Sequence, residues 1–427
     1  MSETDDHPLR YALVNELHAR PFPVLSAPCH AVYVAIKEPL DAANRDRDRD
    51  RAHLLDLLDR HGSAHPQPEA THFSGPIGRH ELKWESHTEF VTYSAFGKGL
   101  SDRPFDPAEA GVFPAGWLAA APGKRLVSVL IRVEEMPAQE SDMLGRLEDW
   151  FVPESLAAAR ILDGSAVIAG DFRIDPAGHM RFAVFVAPGT GARRVGRIVQ
   201  RICEIETYRA MSMLGLSRAR SLGSRLNRLD PQLSALVSGL DGSDQSPEQA
   251  LHALLGISAE LERLAVQFFF RFGATEAYEA IVNQRIAVLR EARIGGRQTF
   301  AEFMMRRYDP AMRTVKSAEG RLRSMSERAE RAAELLRTRV DVERSSQNQR
   351  LLESMDRRAD LQLRLQHTVE GLSVVAISYY AVNLAAYLVW PLTDPLGLSK
   401  GMTMAALTPL VIGAVWLMVR RIRKSFH

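Results

Sequence analysis

The stretches LSVVAISYYAVNLAAYLVW, residues 372–390, and MTMAALTPLVIGAVWLMV, residues 402–419, contain no Asp, Glu, Lys or Arg. As helices they span about 27–29 Å at ~1.5 Å per residue, close to the ~30 Å hydrocarbon thickness of a bilayer. Two such runs in succession fit a pair of transmembrane helices better than the buried helices of a soluble core. The link between them, residues 391–401, holds Pro391, Pro395, Gly397 and Gly401, so it is expected to turn the chain back and set the spans antiparallel. Pro409 falls inside the second span, where a kink is tolerated when neighbours satisfy the freed carbonyl.

Lys and Arg are retained on the cytoplasmic side of a membrane, whereas acidic residues matter little. The link carries one such residue, Lys400; the approach to the first span carries Arg357, Arg358 and Arg364, and the tail of residues 420–427 carries Arg420, Arg421, Arg423 and Lys424. Both termini are therefore expected in the cytoplasm. Tyr387, Trp390 and Trp416 stand near the span ends, where aromatic rings favour the headgroup layer.

The 427 residues, 46% hydrophobic, are enough for two or three domains. A net charge of +2, from 54 basic and 52 acidic residues, gives no strong field for nucleic acid. Only Cys29 and Cys203 occur, too far apart for a disulfide framework or a metal knuckle, so a reducing compartment is expected. The opening MSETDDHPLR lacks the apolar core of a secretory signal.

Before the spans, residues 1–190 mix two periods. Alternation and β-rich composition mark strands at residues 29–36, 80–86, 88–96, 126–133, 165–174 and 180–187; residues 42–60 and 140–162 read as helices, the first with Leu54, Leu55, Leu57 and Leu58 on its buried side. The fold class is α+β, one mixed sheet with helices. Residues 191–310 are helical throughout: 193–216, then 246–272 after a Gly-, Ser- and Asp-rich loop, then 274–306, with Asp309-Pro310 as a stop and restart. From residue 311 to 371 a single long stalk helix is expected, leading without a break into the first span. Leu322, Met325, Ala329, Ala332 and Leu336 alternate three and four apart, the spacing of a coiled-coil seam. The seam turns polar over DVERSSQNQR, residues 341–350, read as a solvated stretch where the helix leaves its partners rather than as a polar bundle lining.

Several motifs carry possible chemistry. In NELHARP, residues 15–21, the group Asn15, Glu16, His18 and Arg20 offers an acid/base or anion-binding cluster, Glu16, His18 and Arg20 sharing one side of an extended chain. A structural role, with His18 hydrogen-bonded and Pro21-Phe22-Pro23 fixing the path, is the preferred reading. Nine histidines precede residue 90, but only His61 and His65 have helical metal-ligand spacing, and they straddle Gly62 where a helix should end. Pro188-Gly189-Thr190-Gly191 lies between strand and helix, yet position 194 is Arg194 rather than the third glycine of a dinucleotide loop, so an ordinary turn is expected. RDRDRDR, residues 45–51, reads as a solvated helix face laced with ion pairs. In the first span, Ser373, Tyr380, Asn383 and Tyr387 fall within roughly 80° on a helical wheel. Such a face is either an interhelical hydrogen-bonding surface within an oligomer or a pore, and both place it among copies of the chain. No nucleophile with a base and no metal cluster stands out, so no enzyme, no catalytic residue and no bound cofactor is expected.

NELHARP, VQRICEIETYR at 199–209, the long run from LLRTRVDVERSSQNQRLLESMDRRADLQ through VVAISYY at 335–380 and the paired terminal spans resemble an uncharacterised bacterial family described only as membrane-anchored. That resemblance implies the bacterial inner (plasma) membrane and brings no activity. The layout of an α/β cytoplasmic domain, helices, a long stalk entering the first of two C-terminal spans, a short outer loop and a basic tail is also similar to CorA-type divalent-cation channels. That similarity implies a homo-oligomer bundled through stalks and spans, with a divalent cation as cargo, Asp394 at the mouth and Asn383 along the path. The chain departs from that family's Gly-Met-Asn at the outer end of the first span: the region reads VWPLTDPLG, residues 389–397, and Gly401-Met402-Thr403 comes too late. The expected function is a homo-oligomeric, CorA-like cation channel or transporter. The alternative is a non-transporting scaffold or sensor whose cytoplasmic domain binds a protein or small molecule.

Overall fold

Strand propensity is densest at Cys29–Lys37 (β1), CHAVYVAIK, and this strand is buried along its whole length. A strand covered on both faces reads as a near-continuous apolar run, and that position explains the VYVAI centre. The computed structural model describes residues 7, 9–11, 13–14, 21–40, 42–239, 246–393 and 399–425, without the side chains of 43, 393 and 422–425.

Around β1 lie His72–Ile77 (β2), His80–Ser86 (β3), Phe90–Lys98 (β4), Lys124–Glu135 (β5), Ala157–Ile161 (β6), Ala166–Ile174 (β7), Met180–Val186 (β8) and Ala292–Arg293 (β9). They form one nine-stranded mixed sheet in the order β2-β3-β4-β1-β5-β8-β7-β6-β9. Neighbours are antiparallel except β5 and β8, which run parallel. One face packs on Arg47–Arg60 (α1), Ala115–Ala119 (α2) and Glu140–Trp150 (α3), with Leu54, Leu57, Leu58, Trp84, Tyr93, Trp117 and Leu147 in the core. The other face meets the first half of Ala192–Ser238 (α4), where Val195, Ile198, Val199 and Ile202 are buried at helical spacing.

Three differences from the sequence reading have physical causes. Residues 140–162 are not one helix: α3 ends at Trp150, and Ala157-Ala158-Ala159 is a fully buried strand, so tertiary burial overrides alanine's helix preference. Residues 274–306 are not one helix either. Pro247–Ala287 (α5) runs straight through Gly273, and the chain then forms β9 before Phe300–Arg307 (α6), which Thr299 and Glu302 open with a capping box. The RDRDRDR run is only partly solvated. Asp46 caps α1, while Arg45 and Asp50 are buried as an ion pair of 2.6 Å, and the Arg45 guanidinium donates to Ser86 Oγ and to the carbonyls of Thr88, His87 and Phe90. That side chain holds the β3–β4 hairpin closed.

α4, α5 and the start of Asp309–Thr393 (α7) pack together. A Cβ on Gly215 would collide with the Thr275 side chain, so α4 and α5 approach closely there. Ser212 bonds the Tyr308 hydroxyl at 2.8 Å, and Asp230 binds Arg321 and Arg328. Leu322, Met325 and Ala329, expected in a coiled-coil seam, are buried within the single chain.

The second unit comprises residues 243–252 and 333–427. In it, Ala332's successors Leu336 and Val340 are still buried, and residues 343–369 are exposed almost throughout. The helix α7 continues through Pro391 to Thr393, and Lys400–Ser425 (α8) follows with Pro409 inside it. Both contain a stretch long and apolar enough to cross a membrane.

Candidate functional site

In the C-terminal pair of helices, Ser378, Val382 and Ala386 of α7 recur every fourth residue and are buried, as are Thr403 and Val415 of α8. Side chains four apart share one helix face, and small ones let two helices approach closely. Where α8 begins, the Lys400 ammonium lies 5.8 Å from the ring centres of both Tyr387 and Trp390; near the end of α8, Arg420 lies 5.1 Å over Trp416.

The four residues singled out on this helix stand on a different face. Ser373, Tyr380 and Tyr387 are exposed, and Asn383 is half-buried with its amide donating to the Tyr379 carbonyl at 2.8 Å. Within one chain this polar strip is thus left uncovered. Asp394 lies outside the described residues, as do Asn15, Glu16, His18 and Arg20. Arg420 and Arg421 end α8, whereas the side chains of Arg423 and Lys424 are outside the described set.

The sheet domain contains a cavity of about 270 Å³ that the sequence reading missed, with charged and aromatic side chains from β1, β3, β4, α4 and Arg285 of α5 in its lining. Lys83 and Glu85 reach it because alternate residues of β3 share a face. The Lys83 ammonium is held by Glu85 at 3.2 Å and by Gln200 Oε1 at 3.0 Å. Gln200 donates in turn to Glu204 at 2.8 Å, and Arg285 pairs with the same carboxylate at 2.5 Å. Tyr33 and Thr207 share a hydrogen bond of 2.6 Å, and Thr207 donates to the Cys203 carbonyl. Two positive and two negative groups meet there, paired with one another. Burial pushes the Cys203 thiol well up and the Cys29 thiol up to about 12, so neither is a thiolate near neutrality. The signals available in sequence were Lys and Glu two apart in HELKWES and Gln200 and Glu204 four apart, both ordinary spacings.

Beside the cavity, Glu89 is 1% exposed and collects Lys37 at 3.4 Å, Arg271 and the Tyr278 hydroxyl at 3.0 Å. This node ties the end of the sheet to α5. Burial lowers the Lys37 ammonium from its usual range, opposed by Glu89.

His61 and His65 do not converge: His65 pairs with Asp59 at 2.7 Å on the surface. The Pro188–Gly191 segment is a turn in which Thr190 donates to the Ser165 carbonyl and Arg194 to the Ser165 hydroxyl. Among the described residues no three His, Cys, Asp or Glu side chains already converge on a metal-sized point.

No curated protein matches the chain. The family model described as "Protein of unknown function (DUF3422)" matches residues 5–426. With sheet domain, helices and both apolar stretches inside that match, the chain belongs to the DUF3422 family.

Proposed function

We propose that the chain is a homo-oligomeric protein anchored in the bacterial inner membrane by its two apolar helices, and that it moves divalent cations in the manner of CorA-type channels. The observation that carries this reading is the surface of α7 that one chain leaves bare. Leu351, Leu352, Met355, Leu361, Leu363 and Leu365 are exposed along its middle, and Ser373, Tyr380 and Tyr387 are exposed in its apolar stretch. Exposed leucines gain by burial against copies of the same helix, at about 25 cal/mol per Å² of apolar surface. Polar groups in hydrocarbon gain by facing protein or water. A bundle of α7 helices meets both demands at once and directs the polar strip inward. One uninterrupted helix from Asp309 to Thr393, following a mixed sheet and helices, is also the layout that the CorA resemblance implies. Arg357, Arg358 and Arg364 before the first span, with Arg420 and Arg421 after the second, favour both ends inside.

Flux into liposomes containing purified protein tests the reading. Entry of Mg²⁺, Co²⁺ or Zn²⁺ above empty vesicles, changed by Asn383→Leu, is expected; flux equal to empty vesicles removes the transport claim.

A second reading, a tethered sensor or scaffold, is favoured by the 270 Å³ cavity between β3 and α4. It expects small polar metabolites to raise the thermal stability of the protein, with the effect lost in Gln200→Leu. Equal responses from both proteins would remove it.

A further inference from the structure

On the α1 face of the sheet, one row crosses three strands at its end. Gly97 of β4 is paired with His30 of β1 on one side and with His80 of β3 on the other. The glycine between them is required, because a Cβ there would collide with the Cε1–Nε2 edge of the His30 ring. That edge therefore lies over Gly97, on the way to His80. The two rings are T-shaped with centres 5.6 Å apart. Two imidazoles on one tetrahedral zinc at ~2.0–2.1 Å would place their centres roughly 5 Å apart.

The protonation pattern suits a ligand. His30 Nδ1 is 3.0 Å from the Gly99 carbonyl, which can only accept, so Nδ1 carries a hydrogen and the neutral ring has its lone pair on Nε2. A metal-bound histidine is commonly oriented through its other nitrogen in this way. His30 and His80 are 6% and 7% exposed, and the Nε2 atom of each is buried without a hydrogen-bond partner. A third imidazole shares this condition: His61 Nε2 is also buried and unpartnered. His61 closes the C-terminal end of α1, with its Nδ1 beside Gly78 in the turn that leads into His80. Buried polar atoms are nearly always paired, so three unpartnered imidazole nitrogens in one neighbourhood are out of the ordinary.

We propose that His30 and His80, with His61 turned inward as the third ligand, bind one borderline divalent metal ion of the zinc class through their Nε2 atoms. The turn of His61 is the closing step, since three such side chains do not yet converge. Imidazole nitrogens suit Zn²⁺, Co²⁺, Ni²⁺ or Cu²⁺, whereas Mg²⁺ and Ca²⁺ want oxygen. The site is built from residues of the sheet domain and α1 alone, so it stands or falls whether or not the protein transports.

The test is metal binding by the full-length, tag-free protein in detergent. Equilibrium dialysis against Zn²⁺ is expected to leave one ion per chain in the presence of excess Mg²⁺, and Co²⁺ is expected to give the intense visible absorption of a tetrahedral site. His30→Gln and His80→Gln are each expected to abolish both signals, and His61→Gln to weaken binding. Should a variant unfold, the Co²⁺ spectrum of the unaltered chain still decides, because six-coordinate Co²⁺ absorbs only weakly. No ion retained by the unaltered protein, retention unchanged in the folded His30→Gln and His80→Gln double variant, or displacement by Mg²⁺ would overturn the site.

Discussion

The sheet domain and the C-terminal helices use apolar residues in opposite ways. In the sheet domain, leucine, valine and aromatic side chains are buried by the chain itself, and charges drawn inside find partners there: Arg45 with Asp50, Glu89 with Lys37 and Arg271, Glu206 with Arg209. In α7 beyond Val340 and in α8, equally apolar residues such as Leu372, Val375, Leu384, Leu388, Leu410 and Leu417 remain exposed. A lone helix of this composition in water would keep that surface wet against a strong drive to bury it. The first region is completed by folding, and the second leaves its apolar surface uncovered within one chain.

The sharpest way to break that contrast is to remove a charge from the self-sufficient region. Glu89→Leu leaves Lys37 and Arg271 without their carboxylate and is expected to destabilise the sheet domain by about 3–5 kcal/mol, read as a lower urea midpoint with membrane retention unchanged. Next comes the reverse experiment. Leu384→Arg puts a charge in the middle of the first apolar stretch at ~2.5–3.5 kcal/mol, and it is expected to lower the membrane-bound fraction while the sheet domain unfolds as before.

A smaller effect comes from His53. Its Nε2 donates to the Trp117 carbonyl at 2.9 Å, so its Nδ1 accepts from the Tyr93 hydroxyl at 3.1 Å, and its ring stacks on Trp117. Burial lowers its pKa from the usual 6.5, offset in part by the bond to Trp117. The unfolded chain then binds a proton that the folded chain refuses. The stability this creates is complete above about pH 6.5 and is lost as pH falls from there towards the depressed folded value. Urea midpoints are expected to drop between pH 7.5 and 5.5, and His53→Gln should flatten the slope. The smallest expected change is Asp230→Asn, which loosens the half-exposed pairs with Arg321 and Arg328 and costs about 1 kcal/mol or less, with a dependence on salt.

How much could be read in the sequence also follows the contrast. The apolar stretches were legible because their signal is one of composition over 18 or 19 residues, needing no partner in the chain. β1 and β4 were legible because their β-branched and aromatic residues alternate or run together. β2 was not, since HFSGPI carries Gly75 and Pro76, which an edge strand tolerates and a central one does not. β6 was hidden by its alanines, and β9 is two residues long. The cavity and the His30–His80 row were illegible for another reason: Lys83 meets Gln200, and His30 meets His80, only through sheet pairing and helix docking that local pattern does not encode.

Alkaline carbonate extraction of membranes carrying the full chain tests the membrane anchor most directly. Protein held by two buried spans stays in the pellet and comes out only with detergent. Protein that appears in the carbonate supernatant would mean that the apolar faces of α7 and α8 are covered by protein alone, and the anchored reading would have to be given up.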